Sequence, residues 1–175
     1  ILPHRDRLEE KNFDLMRELM AKAGEMGLLA IEIPEKDGGL GSDLTTACIV
    51  AEKIATDSNF ATTHLAHTGI GTLPIVYFAN DATKALVLPK ACSGEWIGAY
   101  CLTEPGSGSD ALAARTQAIS VDGGFAVTGN KQFITNGGFA DYYTVFAQVN
   151  PGTAEGGRNF TGFLALRSGG GIEPQ

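Results

Sequence analysis

Residues 99–111 read AYCLTEPGSGSDA, and the rest of the chain is organised around them. An extended apolar run over 96–102 delivers a hydroxyl, Thr103, and a carboxylate, Glu104, into a Pro-Gly-Ser-Gly-Ser-Asp turn. Proline fixes one backbone angle and the two glycines permit conformations that a β-carbon forbids. Such a turn can aim successive N–H groups, together with the Thr103 and Ser109 hydroxyls, at one acceptor-rich ligand. The same composition also serves any turn between strands. A second segment, NKQFITNGG at 130–138, is expected to set an aromatic face, Phe133, and a hydroxyl, Thr135, on the same side of a strand.

Before this centre the pattern is helical. Leu8, Leu15, Met16, Leu19, Met20, Ala23 and Met26 recur at helical spacing and predict one helix face over 8–26, closed by Gly27. Residues 28–31 then run inward as buried connecting chain, and 33–43 form a loop rich in Pro, Gly and Asp. Ser42 or Asp43 can cap the next helix, whose expected buried stripe is Leu44, Ala47, Cys48, Ala51, Ile54 and Ala55. A helical stretch from about Asn59 carries His64 and His67 and is loosened by Gly69 and Gly71. Pro74 suits the first turn of the short helix that follows. Asp81 can cap a last helix, ended by Cys92-Ser93-Gly94.

From Trp96 onward the segments are short, rich in β-branched and aromatic residues, and separated by glycine-bearing turns. Asp122-Gly123-Gly124 and Gly129-Asn130 read as hairpin or bulge turns, and Gly156-Gly157 and 169–171 as flexible loops. The expected fold class is therefore α+β. An N-terminal all-helical domain, 1–95, precedes a small antiparallel β-barrel-like or sandwich domain, 96–175. The end at Gln175 follows no stop signal and reads as a truncation inside the β-region.

Composition narrows the function classes. The 175 residues can form one domain or two small ones, and a formal charge of −7 argues against nucleic acid or an anionic membrane as partner. Cys48, Cys92 and Cys101 follow no paired spacing and read as reduced thiols of a cytosolic type of compartment. No stretch is apolar enough for long enough to span a bilayer, and no cleaved signal is visible. His64-x-x-His67 has a spacing open to a metal, but no further ligands accompany it, which favours a structural or pocket-lining role. No metal is expected.

Together, TEPGSGSD and GNKQFITNG resemble the flavin-binding signatures of the acyl-CoA dehydrogenase family, with a compatible separation and the same order. The resemblance covers essentially the whole chain, whereas a typical member is more than twice as long. It implies FAD as cofactor, an acyl-CoA substrate, a C-terminal helical bundle after the β-domain, and a homodimer or homotetramer. The implied reaction is α,β-dehydrogenation of a fatty acyl-CoA thioester to a trans-2-enoyl thioester, with electrons passed to an electron-transferring flavoprotein. The implied setting is the cytoplasm, or the mitochondrial matrix in a eukaryote.

Residue by residue, Tyr100, Leu102 and Thr103 match positions that meet the flavin ring. Ser109 matches one that touches both cofactor and thioester ligand. Phe133 and Thr135 match the aromatic that covers one ring face and the hydroxyl near the reactive nitrogen. Tryptophan is common at the Phe133 position, so the indole donor is lost here. Residues 62–73 correspond to the helix lining the acyl-chain pocket, where the small Thr62 and Ala66 leave room for a long tail. The family's base is a glutamate on helices after the β-domain, so no catalytic residue is expected within these 175 residues. Glu104 instead orders its turn through hydrogen bonds. Two alternatives remain open: a flavin-dependent monooxygenase or oxidase of the same fold, and an inactive scaffold fragment.

Overall fold

The computed structural model describes residues 1–152 and 159–174; the Gly156-Gly157 loop lies outside them. The first helical pattern is divided into α1 (Arg5–Glu9) and α2 (Phe13–Glu25). Lys11 takes a left-handed φ of 58°, and the Asn12 side chain accepts the Leu15 N–H at 3.0 Å, starting a new helix. This cap supplies a partner for an N–H that would otherwise be orphaned. α2 buries Leu15, Met16, Leu19, Met20 and Ala23, as its spacing predicts, whereas Met26, also expected on that face, caps the helix and is 71% exposed. Gly27 follows at φ 75°, and Leu29, Ala30 and Ile31 are buried.

α3 (Leu44–Ile54) is capped by Asp43, which accepts from Thr46 N at 2.9 Å. Its predicted stripe is corrected, since only Ile54 is buried, Cys48 is exposed and Leu44 is 69% exposed. The helix lies at the margin, leaning on the core through Ile54 and the partly buried Val50. α4 (Ser58–Leu65) is capped by Asp57 and runs into a π-helix, Ala66–Gly71. α5 (Leu73–Phe78) carries Pro74 in its first turn. α6 (Asp81–Ser93) is capped by Asn80, one residue before the expected Asp81, and ends at Gly94 with φ 76°. Among the described residues no helix is long and apolar enough to cross a membrane.

The widened turn of the π-helix is held by side chains. His67 Nε2–H donates to Ala91 O at 3.1 Å, and its Nδ1 accepts the Gly98 N–H at 3.0 Å. A carbonyl can only accept, which fixes the neutral tautomer with the proton on Nε2. Thr72 Oγ1 donates to His67 O at 2.6 Å and accepts from the Tyr142 hydroxyl at 2.6 Å. Thr144 Oγ1 donates to Gly71 O at 3.1 Å.

β1 (Gly98–Cys101), β2 (Gln117–Val121), β3 (Gly124–Thr128), β4 (Tyr142–Val149) and β5 (Phe160–Leu166) form one sheet. The β2–β3 hairpin turns at Asp122-Gly123, with Gly123 at φ 79°. Strand directions differ from the antiparallel expectation. β2–β3 and β4–β5 are antiparallel, but β1 and β2 both run parallel to β4. The sheet is mixed because long connections return the chain to it in the same direction. β1 pairs with Tyr142–Val145 and β2 with Gln148–Val149, so both share one edge of β4. Residues 102–116 leave the sheet between them. Tyr142 is fully buried and packs in one cluster with Ile75, Val87 and Leu88, which joins sheet to helices.

A β-carbon on Gly98 would stand 2.5 Å from the Tyr142 ring. Gly98→Ala should therefore cost about 1–3 kcal/mol of overpacking, read as a lower urea midpoint; an unchanged midpoint contradicts the packing. Burial holds the His67 imidazole at about 4, below its usual 6.5. The unfolded imidazole gains a proton below 6.5 that the folded one refuses, so stability is full above that pH and falls as the pH drops towards 4. The loss approaches about 3 kcal/mol, and denaturation midpoints across this range should be flatter in His67→Gln.

Candidate functional site

The excursion at 102–116 is a closed turn. Glu104 and Ser107 exchange backbone hydrogen bonds at 2.9 and 3.1 Å, and Ser107 Oγ donates to Asp110 O at 2.7 Å. The buried Glu104 carboxylate accepts from Arg115 N at 2.6 Å, Thr116 N at 2.9 Å, the Thr116 hydroxyl, and Lys131 Nζ at 2.8 Å. Burial pushes its pKa up, but the Lys131, Thr116 and Arg115 donors outweigh this and hold it at about 2. A general base needs a pKa near its working pH. Glu104 is an anchor, as its place in the turn predicts.

The second segment is corrected. β3 ends at Thr128, and residues 129–141 form no strand. Phe133 and Asn136 have left-handed φ of 59° and 67°, which breaks the pleat required for two side chains to share a face. Gly129 passes so close to Thr116 that a β-carbon would lie 2.2 Å from its Oγ1. Asn136 Nδ2 donates to Thr63 O at 3.1 Å and Gly98 O at 3.0 Å, pinning the 134–139 turn to α4 and β1. Arg167 donates to Ala140 O and Gly137 O, and Arg17 to Phe139 O and the Asp141 carboxylate. These contacts fasten the turn on several sides, and Phe133 stands exposed immediately before it.

The two segments are nonetheless adjacent. Gln132 N–H donates to Thr103 O at 2.8 Å. Tyr100 is half-buried on β1 with its ring centroid 5.0 Å from that of Phe146. Leu102, Thr103 and Thr135 are half-buried, Ser109 is exposed and Phe133 is 85% exposed. Among the described residues neither the Thr103 nor the Thr135 hydroxyl has a hydrogen-bond partner. Aromatic and aliphatic surface beside hydroxyls without a partner is a combination that suits a planar ligand carrying polar edge atoms.

Thr135 and Thr62 line one cleft of about 410 Å³ between α2, the start of α4 and the 134–139 turn, with Phe13, Met16 and Asn136. Ala66 is buried at the start of the π-helix, outside that lining. His64 lies apart, its Nε2–H on Leu28 O at 3.0 Å, beside a cavity of about 80 Å³. Among the described residues no group of three or more His, Cys, Asp or Glu could hold a metal; both histidines make hydrogen bonds to backbone. Sequence patterns missed Asn136 and Lys131, although both stand within the quoted segment and Asn-Gly is a known left-handed signal.

The sequence matches the family profile for the acyl-CoA dehydrogenase N-terminal domain over residues 1–95 and that for the middle domain over 99–175. The chain belongs to the acyl-CoA dehydrogenase family. It is 45% identical over 166 residues to a probable acyl-CoA dehydrogenase of Bacillus subtilis, covering 94% of this chain and 27% of that protein. It is 38% identical over 154 residues to the human mitochondrial very long-chain specific acyl-CoA dehydrogenase, covering 85% of this chain and 24% of the relative. Among solved structures, an acyl-CoA dehydrogenase complexed with FAD from Bacillus anthracis superposes with a TM-score of 0.88 at 43% identity. That match covers 95% of this chain and 28% of the other. The chain thus spans about a quarter of the length of these relatives.

Proposed function

We propose that this chain forms one wall of an FAD site and part of the acyl pocket in an enzyme that dehydrogenates fatty acyl-CoA thioesters to trans-2-enoyl thioesters. The observation that carries the reading is the Gln132–Thr103 backbone hydrogen bond, which brings both motif segments to one place. Tyr100, Leu102 and Phe133 offer apolar surface to the ring, and Thr103 and Thr135 offer hydroxyls. Ser109 reaches cofactor and thioester from the exposed turn. The tail lies against Thr62 in the cleft, while Ala66 supports that wall from inside the helix layer.

The chemistry supplied by bound FAD is acceptance of a hydride from the substrate's β-carbon. The residues here orient ring and thioester and exclude water. Removal of the α-proton needs a carboxylate in a dry site with a raised pKa. Glu104 is held in the opposite state, and the family resemblance assigns the base to a glutamate on helices that follow the β-domain. Electrons leave to an electron-transferring flavoprotein, and the enzyme assembles as a homodimer or homotetramer.

The test uses the full-length protein. Anaerobic mixing with acyl-CoA should bleach its flavin without an external reductant. A flavin that stays oxidised until a reductant is added overturns the reading in favour of a monooxygenase, and a bleached flavin that air rapidly re-oxidises during turnover overturns it in favour of an oxidase. Phe133 is 85% exposed, so Phe133→Ala should leave the unfolding free energy of the FAD-free protein within about 0.5 kcal/mol of wild type while weakening FAD retention. Unaltered cofactor stoichiometry counts against its stacking role.

A further inference from the structure

Lys131 is a cation withdrawn from water, its side chain 11% exposed and that of its partner Glu104 6% exposed. Burying an ammonium costs several kcal/mol unless partners replace its hydration. Here Nζ donates to Glu104 Oε1 at 2.8 Å and to Leu102 O at 3.0 Å. The N–H of the next residue, Gln132, donates to Thr103 O at 2.8 Å. Two successive residues therefore grip three: the carbonyl before Thr103, the carbonyl of Thr103, and the carboxylate after it. A slip of one residue between the segments would break all three contacts.

The turn itself does not need the lysine, because Glu104 and Ser107 already close it through their backbones. Glu104 is further rooted by Arg115 N, Thr116 N and the Thr116 hydroxyl. The ion pair thus acts between segments and not within one. A compact ammonium with three donors suits a gap that holds a carboxylate and a carbonyl together; a planar guanidinium would not.

We propose that Lys131, clamped on Glu104, is a positioning residue for the flavin, setting the register in which Thr103 and residues 133–135 face one ligand. The proposal rests on the FAD reading above. It touches neither the ring nor the substrate in this role and acts through the backbone of Leu102 and Thr103.

The test compares full-length wild type with Lys131→Met and Lys131→Arg for FAD dissociation constant, visible flavin absorption and thermal midpoint. Lys131→Met should weaken FAD binding by roughly tenfold or more, since it leaves a buried carboxylate short of a donor. It should also shift the flavin band, and Lys131→Arg should fall between the two. In Glu104→Gln/Lys131→Met the losses in FAD affinity should be less than the product of the single losses. A Lys131→Met protein that binds FAD within about twofold of wild type, with an unshifted band, overturns the proposal whatever its thermal midpoint. Should Lys131→Met not fold, Lys131→Arg decides: wild-type values overturn, and a weakened site with a shifted band supports. Wild-type full-length protein that purifies colourless and takes up no FAD overturns the flavin reading itself, before any variant is made.

Discussion

The close approach of backbone at Gly98 is the constraint on which the arrangement depends. Its N–H donates to His67 Nδ1, its carbonyl accepts from Asn136 Nδ2, and its α-carbon lies against the Tyr142 ring. Gly71 meets the same peptide, since a β-carbon there would come within 3.2 Å of Gly98 C. Four elements, the π-helix, β1, β4 and the 134–139 turn, therefore converge on a residue with no side chain. Each of its polar groups is paired, as burial demands. The helical layer and the sheet are locked together at the point where the chain enters the first motif.

From that lock follows a division of labour among charged groups. Asp141 accepts from Ile97 N at 2.8 Å and from Arg17 at 2.9 and 3.1 Å, which ties α2 to the entrance of β1. Glu104 gathers four donors and is held as an anion. A carboxylate so saturated cannot exchange its proton near neutrality, whereas a base poised for an α-proton must. The carboxylates that anchor this region are therefore distinct from any base that the proposed reaction would require.

Much of this was legible from local chemistry. The caps at Asp43 and the stop at Gly27 follow from short-range hydrogen bonding and positive φ, and the Asp122-Gly123 hairpin from turn geometry. The α3 stripe departs from its spacing because apolar periodicity marks a face without naming what covers it, and Leu44 and Cys48 have no such cover in these residues. Strand direction was misjudged for a related reason: β1 and β4 pair across some forty intervening residues, beyond any local pattern. The two motif segments lie side by side, as the family resemblance implies, but the second is not a strand. Phe133, Ile134 and Thr135 have strand-like side chains, and tertiary contacts override that preference.

The left-handed backbone at Phe133 is the instructive departure. A non-glycine residue in that region costs of order 1–3 kcal/mol and persists only where its surroundings over-determine it. On one side Lys131 and Gln132 are fastened to residues 102–104; on the other Asn136 is fastened to Thr63 and Gly98. Between these two fixed points the chain has little freedom, and the strained residue presents a bare aromatic ring at 85% exposure. Folding alone gains almost nothing from displaying an apolar ring to water at a conformational cost. The flavin contact proposed for this ring would supply the missing gain, and a mount fastened on both sides would need little further ordering when that contact forms.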